Sequence, residues 1–451
     1  MHKTISRAAR PLSFILARRA PWAGQAVASR RSGVRALMGL TLVSLLLIAL
    51  GVSGARARDV HVSDSAGLMA ALAAAKGGER ILLKGGNYAH FKLTPASRFN
   101  FAYPSEVTIA SADPGNPAVI TYLDVRSAKN LTFDGITFDY TYAKGHKTWF
   151  RVFKFDHSDN ITIRNSVFDG DVAKGVSEGE DGRGWAVGLD FRGGRNIVVE
   201  KCVFNEFYKG LIMGGVVRGV VRGNDFYDLR MDGMNFVGMN ELLIEGNRLR
   251  RFRRAVGAGD HADMIQFWTA NSTRPTTDVV IRNNLLMTGD GHPTHSIFMR
   301  NEAVDKGKAG IEMFYRNIAI ENNLIVNGHV HGITVGETNG LRIRNNTLIR
   351  APAFAKGGAR NQKIRIPRIS TKGTSTGVTI TGNLAASYPK ARDGWVVRGN
   401  MPIQDISVMK PGYYGRVFEN PFKGNPANPA SFRYKPDAVP AGVGSTYLWA
   451  R

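Results

Sequence analysis

"VRGNDF" at residues 221–226 is followed 23 residues later by "IEGNRL" at 244–249, and both read as a β-branched residue, a charge, a glycine, an asparagine and an apolar end. The pattern returns as "IRNNLL" from Ile281, "IENNLI" from Ile320, "IRNNTL" from Ile343 and "ITGNLA" from Ile380. Looser copies precede it: "FDGITF" from Phe133, "IRNSVF" from Ile163 and "VEKCVF" from Val199. The intervals are 30, 36, 22, 23, 37, 39, 23 and 37 residues, so the basic unit is 22–23 residues and longer intervals carry insertions. A fixed period in the low twenties marks a solenoid, in which each unit buries its apolar face only by stacking on the next.

Each copy is two short β-rich runs joined at a column holding Ile136, Ser166, Cys202, Asn224, Asn247, Asn284, Asn323, Asn346 and Asn383. Asparagine tolerates the left-handed backbone of a sharp bend, and stacked amides can hydrogen-bond as a ladder. Cys202, the single cysteine, falls in this column and reads as a packed thiol, which excludes an internal disulfide and a cysteine metal cluster. About ten residues before each copy lies a third run: "RVFKF", "VGLDF", "KGLIM", "DGMNF", "DMIQF", "HSIFM" and "HGITV". Three strands per turn with no intervening helical pattern predict an all-β chain, a parallel β-helix solenoid of about 9–11 coils. The amphipathic stretch "SAGLMAALAAAKGG" at 65–78 predicts a short N-terminal capping helix.

Residues 1–35 are arginine-rich without an acid, and "ALMGLTLVSLLLIALGV" and "GARA" follow, the order of a secretory signal peptide cut after Ala57. The expected organisation is thus a signal peptide at 1–57, a cap and first coil at 58–100, the β-helix at 101–386, and an irregular Pro/Gly-rich tail at 387–451 packing on it. Removing the nine lysines and arginines of residues 1–57 lowers the formal charge from +24 to +15. A basic exported surface points to an acidic polysaccharide and away from nucleic acid. The expectation is a monomer, secreted or periplasmic, with no stable membrane insertion once the leader is removed.

Stacking the third runs aligns core positions Phe153, Leu189, Leu211, Met234, Ile265, Ile297 and Ile333. Two residues before each come Arg151, Val187, Lys209, Asp232, Asp263, His295 and His331, and one residue after come Lys154, Asp190, Ile212, Asn235, Gln266, Phe298 and Thr334. Neighbouring strands lie about 4.8 Å apart, so Asp232, Asp263, His295 and His331 would line one edge, with Asp260, His261, His292, Arg300 and His329 in the adjoining turns. An aspartate before a strand caps a turn more often than it does chemistry. Five of the ten histidines in these coils, in register with two aspartates, point instead to a site with mutually perturbed groups.

The coils resemble those of the pectin-active right-handed parallel β-helix enzymes, polygalacturonases in particular. The matching motifs are "DGMN" from Asp232, "DHAD" with Asp260 and Asp263, "HGITVG" from His331 and "IRIP" with Arg365. The resemblance implies a right-handed coil, Asp232 and Asp263 as acid and water-activating base, and His331 and Arg365 positioning and neutralising the substrate. Asn235 and Pro367 depart from the family pattern, and an extra coil carries His295.

"DHAD" is also similar to the Asp-Pro-His-Asp region of alginate C5-epimerases and to β-helix lyases. That likeness implies removal of the proton α to a uronate carboxylate, with His261 or His295 as base and Lys209 or Arg300 as the cation that stabilises the intermediate. Asp260 and Asp263 are candidates for Ca²⁺ in that case, while "HPTH" and "HVH" lack the helical context of a transition-metal motif. The expected function is cleavage of a uronate-containing polysaccharide by hydrolysis or β-elimination, with Lys209, Arg300, Arg365, Asn235 and Gln266 binding substrate. Epimerisation, and polysaccharide binding without catalysis, remain the alternatives. The acid-free stretch "KGGARNQKIRIPRISTKG" at 356–373 suits the latter.

Overall fold

The computed structural model describes residues 58–351, 365–422 and 428–447. The signal peptide expected at 1–57 and half of the basic stretch at 356–373 lie outside them. The described strands form three parallel sheets of 13, 12 and 10 strands, with successive coils adjacent in each sheet. Ten coils contribute a strand to all three sheets. Strand pairing begins within the 58–100 expected to hold the cap and first coil, and it runs on past residue 386. Arg58–Val62 already pairs with Glu79–Leu83, and Val396–Arg398 still pairs with Thr376–Thr381. The N-terminal strand lacks the asparagine signature, whereas the C-terminal one carries it as "VRGN" at 397–400.

Ser65–Ala74 is helical, shorter than the stretch read from the sequence, and Leu68 and Leu72 are buried in the core. No described helix is long and apolar enough to cross a membrane.

The interior is built from residues of like type stacked coil on coil. Phe153, Leu189, Leu211, Met234, Ile265, Ile297 and Ile333 are all fully buried. Phe138, Phe168, Phe204 and Phe226 form a continuous column with ring centroids 4.5, 4.4 and 4.5 Å apart, a separation at which offset stacking adds to area burial.

At one corner the amides of Asn224, Asn247, Asn284, Asn323, Asn346, Asn383 and Asn400 form a ladder, each Nδ2 donating to the next Oδ1 at 2.9–3.0 Å. Each Oδ1 also accepts a backbone N–H from the coil before it, as Asn284 Oδ1 does from Asn247 N at 2.9 Å. The left-handed residue is not the ladder asparagine itself but the one before it: Gly223, Gly246, Asn283, Asn322 and Asn345 all have φ between 54° and 65°. Cys202 sits at the foot of the ladder, buried, its backbone N–H donating to Asn224 Oδ1.

The C-terminal segment folds back on one sheet. Tyr414, Val417, Phe418 and Phe432 pack against Leu285, Leu324, Ile349 and Leu384 in a second apolar cluster outside the barrel. The 10-stranded sheet keeps its outer face free of that segment's cluster, and the candidate site lies there.

Candidate active site

Parallel pairing places Lys209 opposite Asp232 and Asp263 opposite His295, and the chain of partners continues from His331 to Arg368. Asp263 N donates to Asp232 Oδ1 at 3.0 Å, which joins the two halves. The edge is therefore one line running Lys209, Asp232, Asp263, His295, His331, Arg368. The glycine after Asp232 makes this close stacking possible. A Cβ at Gly233 would meet Met264 O at 2.5 Å, inside van der Waals contact.

Asp232 is 1% exposed, and both its oxygens are engaged: Oδ1 by Asp263 N, Oδ2 by Lys209 Nζ at 2.7 Å and Asn235 Nδ2 at 3.0 Å. Asn235, fully buried, also donates to Gln266 Oε1 at 2.6 Å. Burial alone would pull the Lys209 ammonium down, but the Asp232 carboxylate outweighs it and the net shift is upward. Lys209 is thus a fixed cation, its Nζ 5.7 Å from the Trp268 ring centre.

Asp263 is completely buried. Its Oδ1 lies 2.5 Å from His295 Nδ1, but off the line of a well-formed hydrogen bond. Burial, reinforced by Asp232, holds the Asp263 carboxyl well above the usual range. Burial and the neighbouring His261 push His295 down to about 4. Both shifts disfavour charge, which weakens the contact as an ion pair.

His295, His329 and His331 converge, with ring centroids 4.5, 4.7 and 5.2 Å apart. Burial, then mutual repulsion, takes His329 to about 3; burial, His295 and Arg368 take His331 to about 4. All three rings are neutral at neutral pH. His331 Nδ1 is 2.9 Å from Thr334 Oγ1, and His331 lines a cleft of about 320 Å³ with Phe298, Arg300, Thr334, Ser370 and Lys372. His261 is exposed at the rim, its ring 6.4 Å from that of His295.

Several expectations need correction. Asp260 does not face the groove: Arg230 Nε donates to its Oδ2 at 2.8 Å, and Ala255 N does so at 2.9 Å. It closes the loop before the Asp263 strand and neutralises a buried arginine. The Asp260–Asp263 pair considered for Ca²⁺ is therefore not assembled. Among the described residues, the one group of three or more metal-type side chains is His295, His329 and His331. Asp232, Asp263 and Asn235 are brought together by the register, but beneath the surface, so direct contact with a sugar is not available to them here. The cation in register with His331 is Arg368, while Arg365 lies in the preceding turn. Arg300 reaches the cleft but is tied to Asp305 at 3.0 Å, which Lys372 also pairs with.

Sequence reasoning placed His329 only in an adjoining turn and missed Arg368. A bulge between His331 and Ile333 displaces Arg368 from the two-before-core position, and His329 stands outside that position altogether. Its signal was the His-x-His spacing of "HVH".

Residues 151–385 match the family model described as "Right handed beta helix region". The chain belongs to the right-handed β-helix family. A comparison with curated proteins finds no match. Among solved structures it is similar to the Dettilon tailspike protein, at 15% identity and a TM-score of 0.46, covering 72% of this chain and 62% of that one. It therefore spans under two thirds of the tailspike's length. It is similar to the pectate lyase Pel9A at 13% identity and a TM-score of 0.41, covering 84% and 90% of the two chains. A third similarity is to the alginate lyase from Paenibacillus sp. str. FPU-7, at 14% identity and a TM-score of 0.34, covering 63% and 95%.

Proposed function

We propose that the protein is an exported enzyme that acts on a uronate-containing polysaccharide by removing the proton α to the carboxylate, ending in β-elimination. The observation that carries this reading is the division of groups in the column. The two carboxylates that hydrolysis needs are buried and internally engaged. The groups at the surface are imidazoles and cations. Inverting hydrolysis requires carboxyls about 6.5–9.5 Å apart with water between them, and retaining hydrolysis requires both at the sugar. Asp232 and Asp263 sit on adjacent coils, the Asp263 backbone N–H donating to Asp232 Oδ1 at 3.0 Å.

Abstraction next to a carboxylate needs an uncharged base and a cation to hold the developing enolate-like charge. Lys209, kept charged by Asp232, and the exposed Arg368 supply cations along the groove. His261, exposed at the rim beside the Asp263–His295 pair, supplies the base. The formal charge of +15 beyond residue 57 draws a polyanion to the groove.

The test is incubation with polygalacturonate and alginate, following ultraviolet absorbance of unsaturated uronate together with reducing ends. Both rising together is the expected result. Reducing ends without absorbance would replace this reading with hydrolysis. Altered uronate configuration without new ends would place the outcome at epimerisation, which shares the first step.

A further inference from the structure

We propose that His295, His329 and His331 bind a single divalent transition-metal ion of the zinc class. One ring nitrogen from each lies within 4.8 Å of the others. Three nitrogens around a tetrahedral ion, at about 2.0–2.1 Å from it, stand roughly 3.4 Å apart. Closing the cluster therefore takes side-chain rotations of about an ångström and no movement of the coils.

The surrounding contacts leave the outer nitrogen of each ring for the ion. His295 Nδ1 abuts the Asp263 carboxyl, and His331 Nδ1 abuts the Thr334 hydroxyl. With the ion on Nε2, His295 donates Nδ1–H to Asp263, whose two oxygens otherwise have no hydrogen-bond partner among the described residues. A carboxylate behind a ligating histidine fixes its tautomer and strengthens it as a donor. His329 Nδ1 accepts a 3.2 Å bond from His331 N, and it gives this up when its ring takes the tautomer with Nε2 free.

Imidazole ligands suit zinc, copper, nickel or iron, whereas calcium and magnesium prefer oxygen. Three protein ligands leave the fourth position open, as in sites that bind and polarise a ligand. His331 faces the cleft shared with Arg300 and Lys372, so the open position is available to an anionic group there. Identifying that group as a uronate carboxylate rests on the proposed function; the metal site itself does not. With all three rings engaged, the base falls to His261.

The purified chain, stripped with a chelator, would be titrated with Co²⁺ and Zn²⁺. The expected result is one ion per chain, with visible Co²⁺ absorption of four- or five-coordinate intensity. His329→Ala should weaken binding by at least about tenfold, and His90→Ala, an exposed histidine in an early coil of the same sheet, should leave it unchanged. Equal binding by His329→Ala, or less than one ion per wild-type chain, would overturn the proposal. Should His329→Ala misfold, nitrogen NMR of the wild-type histidines decides: three rings shift on Zn²⁺ addition, or the site is refuted. His261→Ala, which removes the proposed base, should abolish elimination while retaining Co²⁺, so the two readings fail separately.

Discussion

Asp263 Oδ1 stands 2.5 Å from His295 Nδ1, at the one place in the column where a fully buried carboxyl meets an imidazole on the next coil. Burial disfavours charge on both, so the pair orients the imidazole rather than storing charge. Asp263→Asn should therefore leave thermal stability nearly unchanged, within about 1 kcal/mol. Metal affinity and activity should each fall about 10–100-fold, because the ring loses its orienting partner. Thermal denaturation beside Co²⁺ titration separates these effects. A collapse of stability would show that Asp263 is ionised in the folded state.

Lys209 and Asp232 differ from that pair, since Lys209 Nζ stands 2.7 Å from Asp232 Oδ2 and its ammonium is favoured by that contact. Lys209→Met leaves Asp232 buried without its counter-ion and should cost about 3–5 kcal/mol. Adding Asp232→Asn should restore most of the stability but none of the activity. Chemical denaturation and turnover, measured on both variants, check this.

Stability should also depend on pH through the three histidines. Their folded values of about 4, 3 and 4 lie below the ordinary 6.5, so the unfolded chain binds more protons between these limits. Their contribution is complete above about pH 6.5 and is lost as pH falls towards 4. Asp263, raised by burial, works in the opposite sense, losing stability as pH rises through its folded value. Melting temperature against pH should fall on the acid side, less steeply in His329→Ala.

The ladder predicts a purely structural effect. Asn284 makes amide bonds to both neighbouring rungs and to two backbone carbonyls. Asn284→Ala strands buried partners on both sides and should cost roughly 3 kcal/mol or more, read by denaturant unfolding, with the site's metal binding intact.

The coil, the ladder and the in-register column were legible in the sequence because a solenoid turns sequence period directly into spatial neighbours. Residues 209, 232, 263 and 295 each stand two before a core residue, and that regularity survives insertions confined to the loops. Three things were not legible. Burial depth was one: Asp232 and Asp263 occupy the column but turn inward beneath Lys209 and His295. The partner of Asp260 was another, since Arg230 lies 30 residues away and a coil earlier. The bulge after His331 was the third, because it sets Arg368 one residue before its core position, so the spacing did not reveal its pairing with His331; Arg365 came from the resemblance of "IRIP" alone.

Proton NMR of a uronate polymer incubated with the protein in deuterated buffer follows the hydrogen α to the carboxylate itself. Proton abstraction requires this signal to decline in step with new unsaturated ends and His261→Ala to prevent it. Chain ends accumulating while the signal remains intact would contradict proton abstraction and return the buried carboxylates to the centre of the mechanism.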